Sequence, residues 1–270
     1  MTSLRISLIQ SDIFWEEPPK NREMFRQKIE ALAGQTDLII LPEMFSTGFT
    51  MNVQQFAETM QGVTVSWLKE MAVHSKADMV GSVIIKEKEN YYNRLIWAKP
   101  DGRILHYDKR HLFRMAGEDK VFSAGTARTI VALNGWKILP LICYDLRFPV
   151  WARSRQNEFV MIIYIANWPE RRIAHWNLLL KARAVENQCY VAGVNRMGKD
   201  GQGVNHTGQS VLVDFLGNNL MEIDDEKMET GVLAYEGLQK FRKRFPVWKD
   251  ADNFRIKNEK TAAESKKYKP

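Results

Sequence analysis

Three side chains with complementary chemistry each stand at the end of an apolar run. Glu43 follows Leu-Ile-Ile-Leu-Pro, Cys143 follows Ile-Leu-Pro-Leu-Ile, and Lys109 ends a strand of a hairpin. Strand ends in α/β folds are where ligand crevices form, so these side chains are candidates for one site. A thiolate is a strong nucleophile, a carboxylate can take the thiol proton, and an ammonium group stabilises an oxyanion. The three residue types therefore suit nucleophilic attack on a carbonyl carbon.

Each of the three also has an ordinary structural interpretation. Free cysteine is among the most buried residue types, so Cys143 on an apolar strand could be a small hydrophobic side chain. Glu43 could cap the element that follows it. Lys109 lies in the cluster Lys-Arg-His, which is typical of a solvated face. Taken singly, none of these residues decides between structure and chemistry.

The residues around the three side chains favour chemistry. Four motifs occur in order along the chain: Leu-Pro-Glu43-Met-Phe-Ser-Thr-Gly, Tyr-Asp-Lys109-Arg-His-Leu-Phe, Leu-Ile-Cys143-Tyr-Asp-Leu-Arg147-Phe-Pro, and Ala166-Asn-Trp-Pro-Glu-Arg-Arg followed by His175-Trp through Gln188. Together they resemble the motifs of the nitrilase superfamily, the carbon–nitrogen hydrolases with a Glu-Lys-Cys triad, over about residues 4–256. The fourth motif resembles the omega-amidase branch.

The resemblance implies a thioester mechanism that needs no metal and no cofactor. Cys143 would attack the amide carbonyl, and Glu43 would take the thiol proton and pass it to the departing ammonia. Lys109 would face the oxyanion together with the backbone N–H of Tyr144. Glu43 would then activate the water that releases the acid. The enzyme expected from this chain is a hydrolase of carbon–nitrogen bonds other than peptide bonds.

A second glutamate matches the family pattern. Glu118, in Met-Ala-Gly-Glu-Asp, corresponds to a residue thought to position the substrate. Its alternative is a loop carboxylate paired with Lys120 or Arg114. Two histidines also need an interpretation, because a Cys-His pair would indicate a cysteine protease. Neither His175 nor His206 stands in a recognisable context for such a pair, and His175 is expected in packing or a polar network.

The omega-amidase resemblance implies a small dicarboxylic acid monoamide as substrate, such as 2-oxoglutaramate or 2-oxosuccinamate. Its remote carboxylate requires a positive and preferably bidentate partner. Candidates are Arg147, Arg171 and Arg172, although each could instead form a salt bridge at the surface or at an interface. Bulky side chains near the motifs are expected to narrow the pocket for a small molecule: Phe45, Tyr144 and Trp168. Deaminated glutathione amidase and N-carbamoyl amidase share the triad and remain alternatives.

The elements that must hold these residues follow from the apolar pattern. Strand and helix patterns alternate, with hairpin signals at Pro100-Asp-Gly102 and Asn134-Gly135. A long helix is expected over about 172–187, and a buried strand over 159–166. These features indicate an α/β class with more than one sheet. The resemblance implies an α-β-β-α sandwich of two mixed sheets flanked by helices.

The chain is expected to form one catalytic domain, residues 1–256, followed by a basic tail, residues 257–270. No Gly/Ser-rich or Pro-rich linker divides it. The family resemblance further implies a homodimer, whose surface would come from Pro149–Arg155 and Arg172–Asn187. In the long helix, Leu178–Leu180, Ala182 and Val185 are expected to form ordinary core.

The net charge of +7 is concentrated at one end. Residues 241–270 hold ten Lys or Arg and four Asp or Glu, a net of +6, which leaves +1 for the first 240 residues. A rival hypothesis is therefore a non-catalytic protein that binds an acidic partner through this end. Charge-rich, apolar-poor ends are usually solvated arms, so no nucleic-acid partner is predicted.

Composition excludes several other classes. Two cysteines cannot build a disulfide-rich scaffold or a four-thiolate zinc site. The longest apolar run, 159–166, is far shorter than the roughly 20 residues that cross a bilayer, so no membrane association is predicted. The chain has no dinucleotide or Walker-type glycine loop. An absent signal peptide and a functional thiol suggest the reducing cytoplasm.

Overall fold

Alternating apolar side chains on the first strand determine how the layers stack. The computed structural model describes residues 3–257. Leu4, Ile6 and Leu8 pack into a core shared with the second half of the chain, whereas Ile9 packs into a second core on the other face. Successive side chains of a strand point to opposite faces, so a strand that is apolar on both faces must be covered on both.

Residues 3–257 contain fourteen strands. They are β1 (Leu4–Ile9), β2 (Leu38–Ile40), β3 (Asp78–Glu87), β4 (Asn90–Ala98), β5 (Ile104–Asp108), β6 (Val131–Leu133), β7 (Trp136–Ile142), β8 (Met161–Ala166), β9 (Tyr190–Asn195), β10 (Met197–Lys199), β11 (Asn205–Thr207), β12 (Ser210–Val213), β13 (Asn219–Ile223) and β14 (Met228–Leu233). The same residues form helices α1 (Pro18–Glu30), α2 (Val53–Phe56), α3 (Val63–Ser75), α4 (Glu118–Val121), α5 (Pro149–Ala152), α6 (Ile173–Asn187) and α7 (Tyr235–Arg244).

Twelve of the strands form two six-stranded mixed sheets. The first sheet has the order β14-β1-β2-β3-β4-β5, in which β1, β2 and β3 run parallel and the outer strands pair antiparallel. The second has the order β13-β12-β9-β8-β7-β6, in which β7, β8 and β9 run parallel. Strands β10 and β11 form a separate hairpin. Each sheet therefore has a parallel centre, whose strand ends can carry a site.

Helices cover the outer faces. Phe25 of α1 and Met71 of α3 pack with the outward side chains of the first sheet. Trp176 and Leu180 of α6 pack on the second sheet, where Gly193 leaves the space that they fill: a Cβ there would lie 2.5 Å from Leu180 Cδ1. The architecture is the predicted α-β-β-α sandwich, which confirms the fold expected from the sequence.

Most elements lie where the sequence places them, with ends shifted by one or two residues. The long helix spans Ile173–Asn187, but its expected core face is partly wrong. Leu180 and Ala184 are buried, whereas Leu178 is 68% exposed and Val185 is 50% exposed. Leu178 and Val185 are seven residues apart, about two turns, so they share the side of α6 that faces away from the sheet. Strand β13, helix α7 and the β10–β11 hairpin were not anticipated.

The predicted basic tail, residues 257–270, lies outside the described residues from 258 onwards. Before it, α7 docks on the second sheet through Arg242, which donates to the carbonyls of Gln188 and Phe159 (2.8 and 2.9 Å). Within residues 3–257, no helix combines the length and apolarity that a membrane span requires.

Candidate active site

The ends of four strands meet around one cavity of about 200 Å³. Lys109 comes directly after β5, Cys143 directly after β7, and Asn167 directly after β8. Glu43 follows β2 by three residues. All four residues line the cavity, and side chains from the surrounding loops complete its walls. The two sheets contribute two residues each, so the site exists only where the sheets pack together.

Cys143 occupies a sharp turn. It is the first residue of a short 3₁₀ helix, Cys143–Arg147, and its φ of +42° lies in the left-handed region. A residue with a Cβ is uncommon there, and the conformation costs of order 1–3 kcal/mol. Such residues cluster at functional sites, because the surrounding structure must hold them. The turn leaves Cys143 half-buried at the cavity wall.

We call the cavity-lining residues Glu43, Lys109 and Cys143, together with Glu118, which pairs with Lys109 but does not itself line the cavity, the cavity floor. Lys109 Nζ donates to Glu43 Oε1 at 2.9 Å and to Glu118 Oε1 and Oε2 at 3.0 and 2.9 Å. Lys109, Glu43 and Glu118 are at most 1% exposed. Buried charges persist only when they are paired and hydrogen-bonded, which is the arrangement on this floor.

Two asparagines complete the hydrogen bonding of Glu43. Asn93 Nδ2, from β4, donates to Glu43 Oε1 (2.8 Å) and to Glu118 Oε1 (3.2 Å). The backbone N–H of Asn167 donates to Glu43 Oε2 (2.9 Å), and its side chain donates to the Glu43 carbonyl (2.7 Å). Because both carboxylate oxygens accept hydrogen bonds, the orientation of Glu43 is fixed.

The charges on the floor shift the ionisation of their neighbours. Burial, then the charge of Glu43, raise the pKa of the Cys143 thiol well above its usual value, and Lys109 offsets only part of this. Burial alone would lower the pKa of Lys109, but Glu118, Glu43 and Cys143 raise it overall. Burial is also the largest cause of the raised pKa of Glu118. The nucleophile is therefore a thiol at neutral pH, and it needs a base at the moment of attack.

We call Arg147, Arg171 and Arg172 the cavity mouth. Arg147 lies over the Trp168 ring (4.8 Å to its centroid), and its Nη2 is 3.1 Å from His175 Nδ1. Arg172 lies over Phe113 (5.2 Å). Among residues 3–257, no carboxylate is paired with any of the three arginines. Burial, then Arg171 and Arg147, lower the pKa of Arg172, as expected for crowded like charges.

The structure brings nearly all predicted site residues to this cavity. Besides the floor and the mouth, Tyr144 and Trp168 line it. Glu118 pairs with Lys109 rather than with Lys120 or Arg114, and the exposed Arg114 lies 3.9 Å from Asp119 instead. His175 makes a polar contact with Arg147, as expected.

Two predicted site residues do not line the cavity: Glu118 lies behind Lys109, and Phe45 lies away from the site. Met44 has a φ of +45°, which turns the chain so that Phe45 points to the outer face of the first sheet. There it packs at 5.6 Å from both Phe25 and Trp67. Gly81 makes the room, since a Cβ there would lie 2.8 Å from the Phe45 ring. Phe49 and Phe113 supply the aromatic walls that Phe45 was expected to supply.

Sequence reasoning missed several residues of this site. Asn93 carries no motif signal beyond a polar residue within an apolar strand, and Asn167 was seen only as part of a motif. Phe113 lines the cavity from a loop, and His206 lines it from strand β11. No group of three or more potential metal-ligating side chains is found among residues 3–257.

Comparisons with known proteins agree with this geometry. The family model described as carbon–nitrogen hydrolase matches residues 5–237. Omega-amidase YafV of Escherichia coli (strain K12) is 42% identical over 258 residues, 95% of this chain and 100% of that protein. The 2-oxoglutaramate amidase of Bacillus subtilis (strain 168) is 34% identical over 91% of this chain and 96% of its own. A solved CN-hydrolase superfamily protein, XC1258 from Xanthomonas campestris, carries an arsenic adduct in its active site. It matches with a TM-score of 0.93 at 43% identity, covering 95% of this chain and 100% of its own.

Proposed function

This chain belongs to the carbon–nitrogen hydrolase family of the nitrilase superfamily, and on that premise we propose that it is an omega-amidase. Its reaction is hydrolysis of the terminal amide of a small dicarboxylic acid monoamide, such as 2-oxoglutaramate or 2-oxosuccinamate, with release of ammonia. One observation carries the proposal: a Glu-Lys-Cys floor lies beneath arginines that pair with no carboxylate among residues 3–257. Full-length relatives named omega-amidase and 2-oxoglutaramate amidase support it.

The first half of the reaction forms a thioester. The thiol of Cys143 attacks the amide carbonyl carbon while Glu43 takes its proton, since the raised pKa of the thiol keeps it protonated until then. The carbonyl oxygen becomes an oxyanion, which Lys109 Nζ and the backbone N–H of Tyr144 stabilise. Glu43 returns the proton to the amide nitrogen, the carbon–nitrogen bond breaks, and ammonia leaves.

The second half releases the acid. Glu43 takes a proton from a water molecule, the hydroxide attacks the thioester carbonyl, and the carbon–sulfur bond breaks. The proton returns to the sulfur of Cys143, so the enzyme is restored without any external donor. Glu43 suits this repeated exchange because three hydrogen bonds hold its carboxylate in one place, from Lys109, Asn93 and Asn167.

The mouth selects the substrate. A dicarboxylic acid monoamide carries its negative charge a few bonds from the amide, and Arg147 and Arg172 offer a positive partner at that end of the cavity. Their aromatic contacts with Trp168 and Phe113 hold the guanidinium groups without neutralising them. A volume of about 200 Å³ suits a small molecule. A reduced Cys143 suits the cytoplasm, where we propose that the reaction takes place.

Formation of the hydrolysis products of a substrate panel, measured by liquid chromatography and mass spectrometry, tests this function. The panel contains 2-oxoglutaramate, 2-oxosuccinamate, deaminated glutathione, N-carbamoyl amino acids and simple nitriles. We expect the highest kcat/KM for the first two. Inactivity on both would end the omega-amidase proposal, and preference for the third or fourth would assign the chain to another branch of the superfamily.

The nucleophile is tested by Cys143→Ala, with Cys189→Ala as the matched control. We expect the first variant to lose amide hydrolysis and the second to keep it, because Cys189 is completely buried and burial raises the pKa of its thiol to about 12. Mass spectrometry of substrate-quenched enzyme should locate the acyl adduct on Cys143. Full hydrolysis by Cys143→Ala would contradict the mechanism.

We further propose that two copies of the chain pair through α5 and α6. Val150, Leu178 and Val185 are at least half exposed there, and such an apolar group is typical of an interface. Replacing Leu178 and Val185 by Glu should convert a dimer to a monomer in sedimentation. The control replaces Val63 and Val73 of α3 by Glu. These two side chains are exposed to a similar extent as Leu178 and Val185, and their replacement should leave the dimer intact. A wild-type monomer at micromolar concentration would contradict the pairing.

A further inference from the structure

A buried carboxylate that the proposed reaction does not use lies behind the nucleophile. Asp145 follows Cys143 by two residues and is completely buried. Its Oδ2 accepts hydrogen bonds from the Tyr107 hydroxyl (2.7 Å) and the Ile142 backbone N–H (3.1 Å). Its Oδ1 accepts one from the His111 backbone N–H (3.0 Å) and lies 2.8 Å from His111 Nδ1. Both oxygens are therefore fully engaged.

The partners of Asp145 come from both sheets. Tyr107 belongs to β5 of the first sheet, and His111 follows that strand, so the two stand on either side of Lys109 in the chain. Ile142 is the last residue of β7 in the second sheet and directly precedes Cys143. One carboxylate thus connects the segment that carries the ammonium group to the turn that carries the thiol.

The partners are themselves fixed. The Tyr107 hydroxyl accepts hydrogen bonds from Trp151 Nε1 (3.0 Å) and from the Arg110 backbone N–H (3.1 Å). The His111 ring stacks on Phe148, with centroids 3.8 Å apart and planes 7° apart. Because every donor around Asp145 is held in turn, a change at Asp145 moves the turn rather than its surroundings.

We propose that Asp145 is a positioning residue that sets the distance between the Cys143 thiol and the group formed by Lys109 and Glu43. The inference rests on the proposed function. Cys143 holds an unfavourable left-handed conformation, which would relax without an anchor on its own turn. A displacement of about 1 Å in a reacting group can cost roughly 100-fold in rate. The Asp145 carboxylate accepts from Ile142, the residue immediately before the strained one.

The test compares Asp145→Asn with Asp78→Asn. Asp78 is also buried, and it accepts from Trp97 Nε1 (2.6 Å) and Lys99 Nζ (2.8 Å) at the start of β3, the strand end remote from the floor. The measured quantity is kcat per Cys143 thiol titrated by iodoacetamide in the native protein. A purely structural role lowers activity and titratable thiol together and leaves this ratio unchanged.

We expect Asp145→Asn to lower this ratio by about 10- to 100-fold, with a much smaller change in KM, and Asp78→Asn to leave it within about twofold. Equal ratios in Asp145→Asn and the wild type, or equal losses in both variants, would overturn the proposal. If Asp145→Asn does not fold, Tyr107→Phe removes one hydrogen bond to Asp145, together with the two that the Tyr107 hydroxyl accepts, and should lower the ratio several-fold.

A second measurement separates this inference from the proposed function. The rate constant for alkylation of Cys143 needs no substrate, and we expect it to fall at least about threefold in Asp145→Asn, because a displaced thiol loses the support of Lys109 for its thiolate. A wild-type protein inactive on every amide would refute the proposed function and leave this measurement valid. An unchanged alkylation rate in Asp145→Asn would refute the positioning role.

Discussion

The floor and the mouth of the cavity differ in whether their positively charged side chains are paired with carboxylates. On the floor, Lys109 is 1% exposed and hydrogen-bonded to two carboxylates. At the mouth, Arg147 and Arg172 rest on aromatic rings and have no carboxylate partner among residues 3–257. The floor is complete without a ligand, whereas the mouth becomes electrostatically complete only when an anion binds. The contrast teaches that chemistry and specificity are built separately here.

The largest contrast should appear in stability when a positive charge is removed from each region. Lys109→Met leaves two buried carboxylates facing each other, and we expect it to destabilise the fold by about 3–5 kcal/mol and to abolish activity. Arg172→Met removes a like-charge neighbour of Arg147 and Arg171, so the free energy of unfolding should change by less than about 0.5 kcal/mol. Urea unfolding measures both. Equal losses would show that the mouth is structural after all.

The next contrast concerns catalysis on the floor alone. Glu43→Gln keeps the size of the side chain but removes the base, and general-base catalysis contributes about 10²–10⁴-fold. We expect kcat to fall about 1,000-fold, close to 4 kcal/mol of transition-state stabilisation. Steady-state kinetics with 2-oxoglutaramate measures the loss. A variant that retains a tenth of the wild-type kcat would assign proton transfer to another group.

A third prediction concerns His206, which lines the cavity but belongs to neither the floor nor the mouth. Burial, then the charge of Arg196, lower its pKa to about 4, against an ordinary value near 6.5. Between these two pH values the unfolded chain binds a proton that the folded chain does not, so stability is complete above about pH 6.5 and is lost as the pH falls toward 4. The lost contribution is at most about 3 kcal/mol. Comparing unfolding of the wild type and His206→Gln between pH 4 and 7 isolates it; parallel curves would refute this assignment.

The smallest effect should separate substrates rather than abolish turnover. We expect Arg147→Met and Arg172→Met to raise KM for 2-oxoglutaramate about 10- to 100-fold, since a charge-assisted hydrogen bond is worth about 1.5–3 kcal/mol. An uncharged amide of similar size should show less than about a threefold change. Glu43→Gln is the matching floor variant and should impair both substrates equally. A uniform loss at the mouth would mean that the arginines support the floor.

The sequence predicts the floor better than the walls, for a physical reason. Glu43 and Cys143 follow apolar runs that mark the ends of buried strands, and the motifs around these two residues and Lys109 resemble those of a known family. The hydrogen bonds to Glu43 come from residues 50 and 124 positions away, Asn93 and Asn167, and no local pattern encodes a contact across that separation. Phe45 was misplaced because its direction depends on the left-handed turn at Met44.

The elements missed in the second half have a similar cause. In strand β13 the exposed Leu220 directly precedes the buried Met221, so apolar and polar residues do not alternate clearly along its sequence. Helix α7 is mostly polar and is held by Leu238 and Arg242. A buried arginine that donates to carbonyls has no hydrophobic signature. Such elements depend on the tertiary structure that they complete.

The pairing of β1 with β14 has a consequence for folding during synthesis on the ribosome. Leu4 lies opposite Leu233, so β1 is synthesised long before β14, the strand that pairs with it. At about 5–20 residues per second, synthesis leaves that edge of β1 unpaired for roughly 10–45 s. An open strand edge invites pairing with other chains, and any message broken before the codons of β14 yields a polypeptide without its full first sheet. The first sheet is therefore complete only after β14 has been synthesised. Between the synthesis of β1 and that of β14, the nascent chain is most exposed to aggregation and most in need of a chaperone.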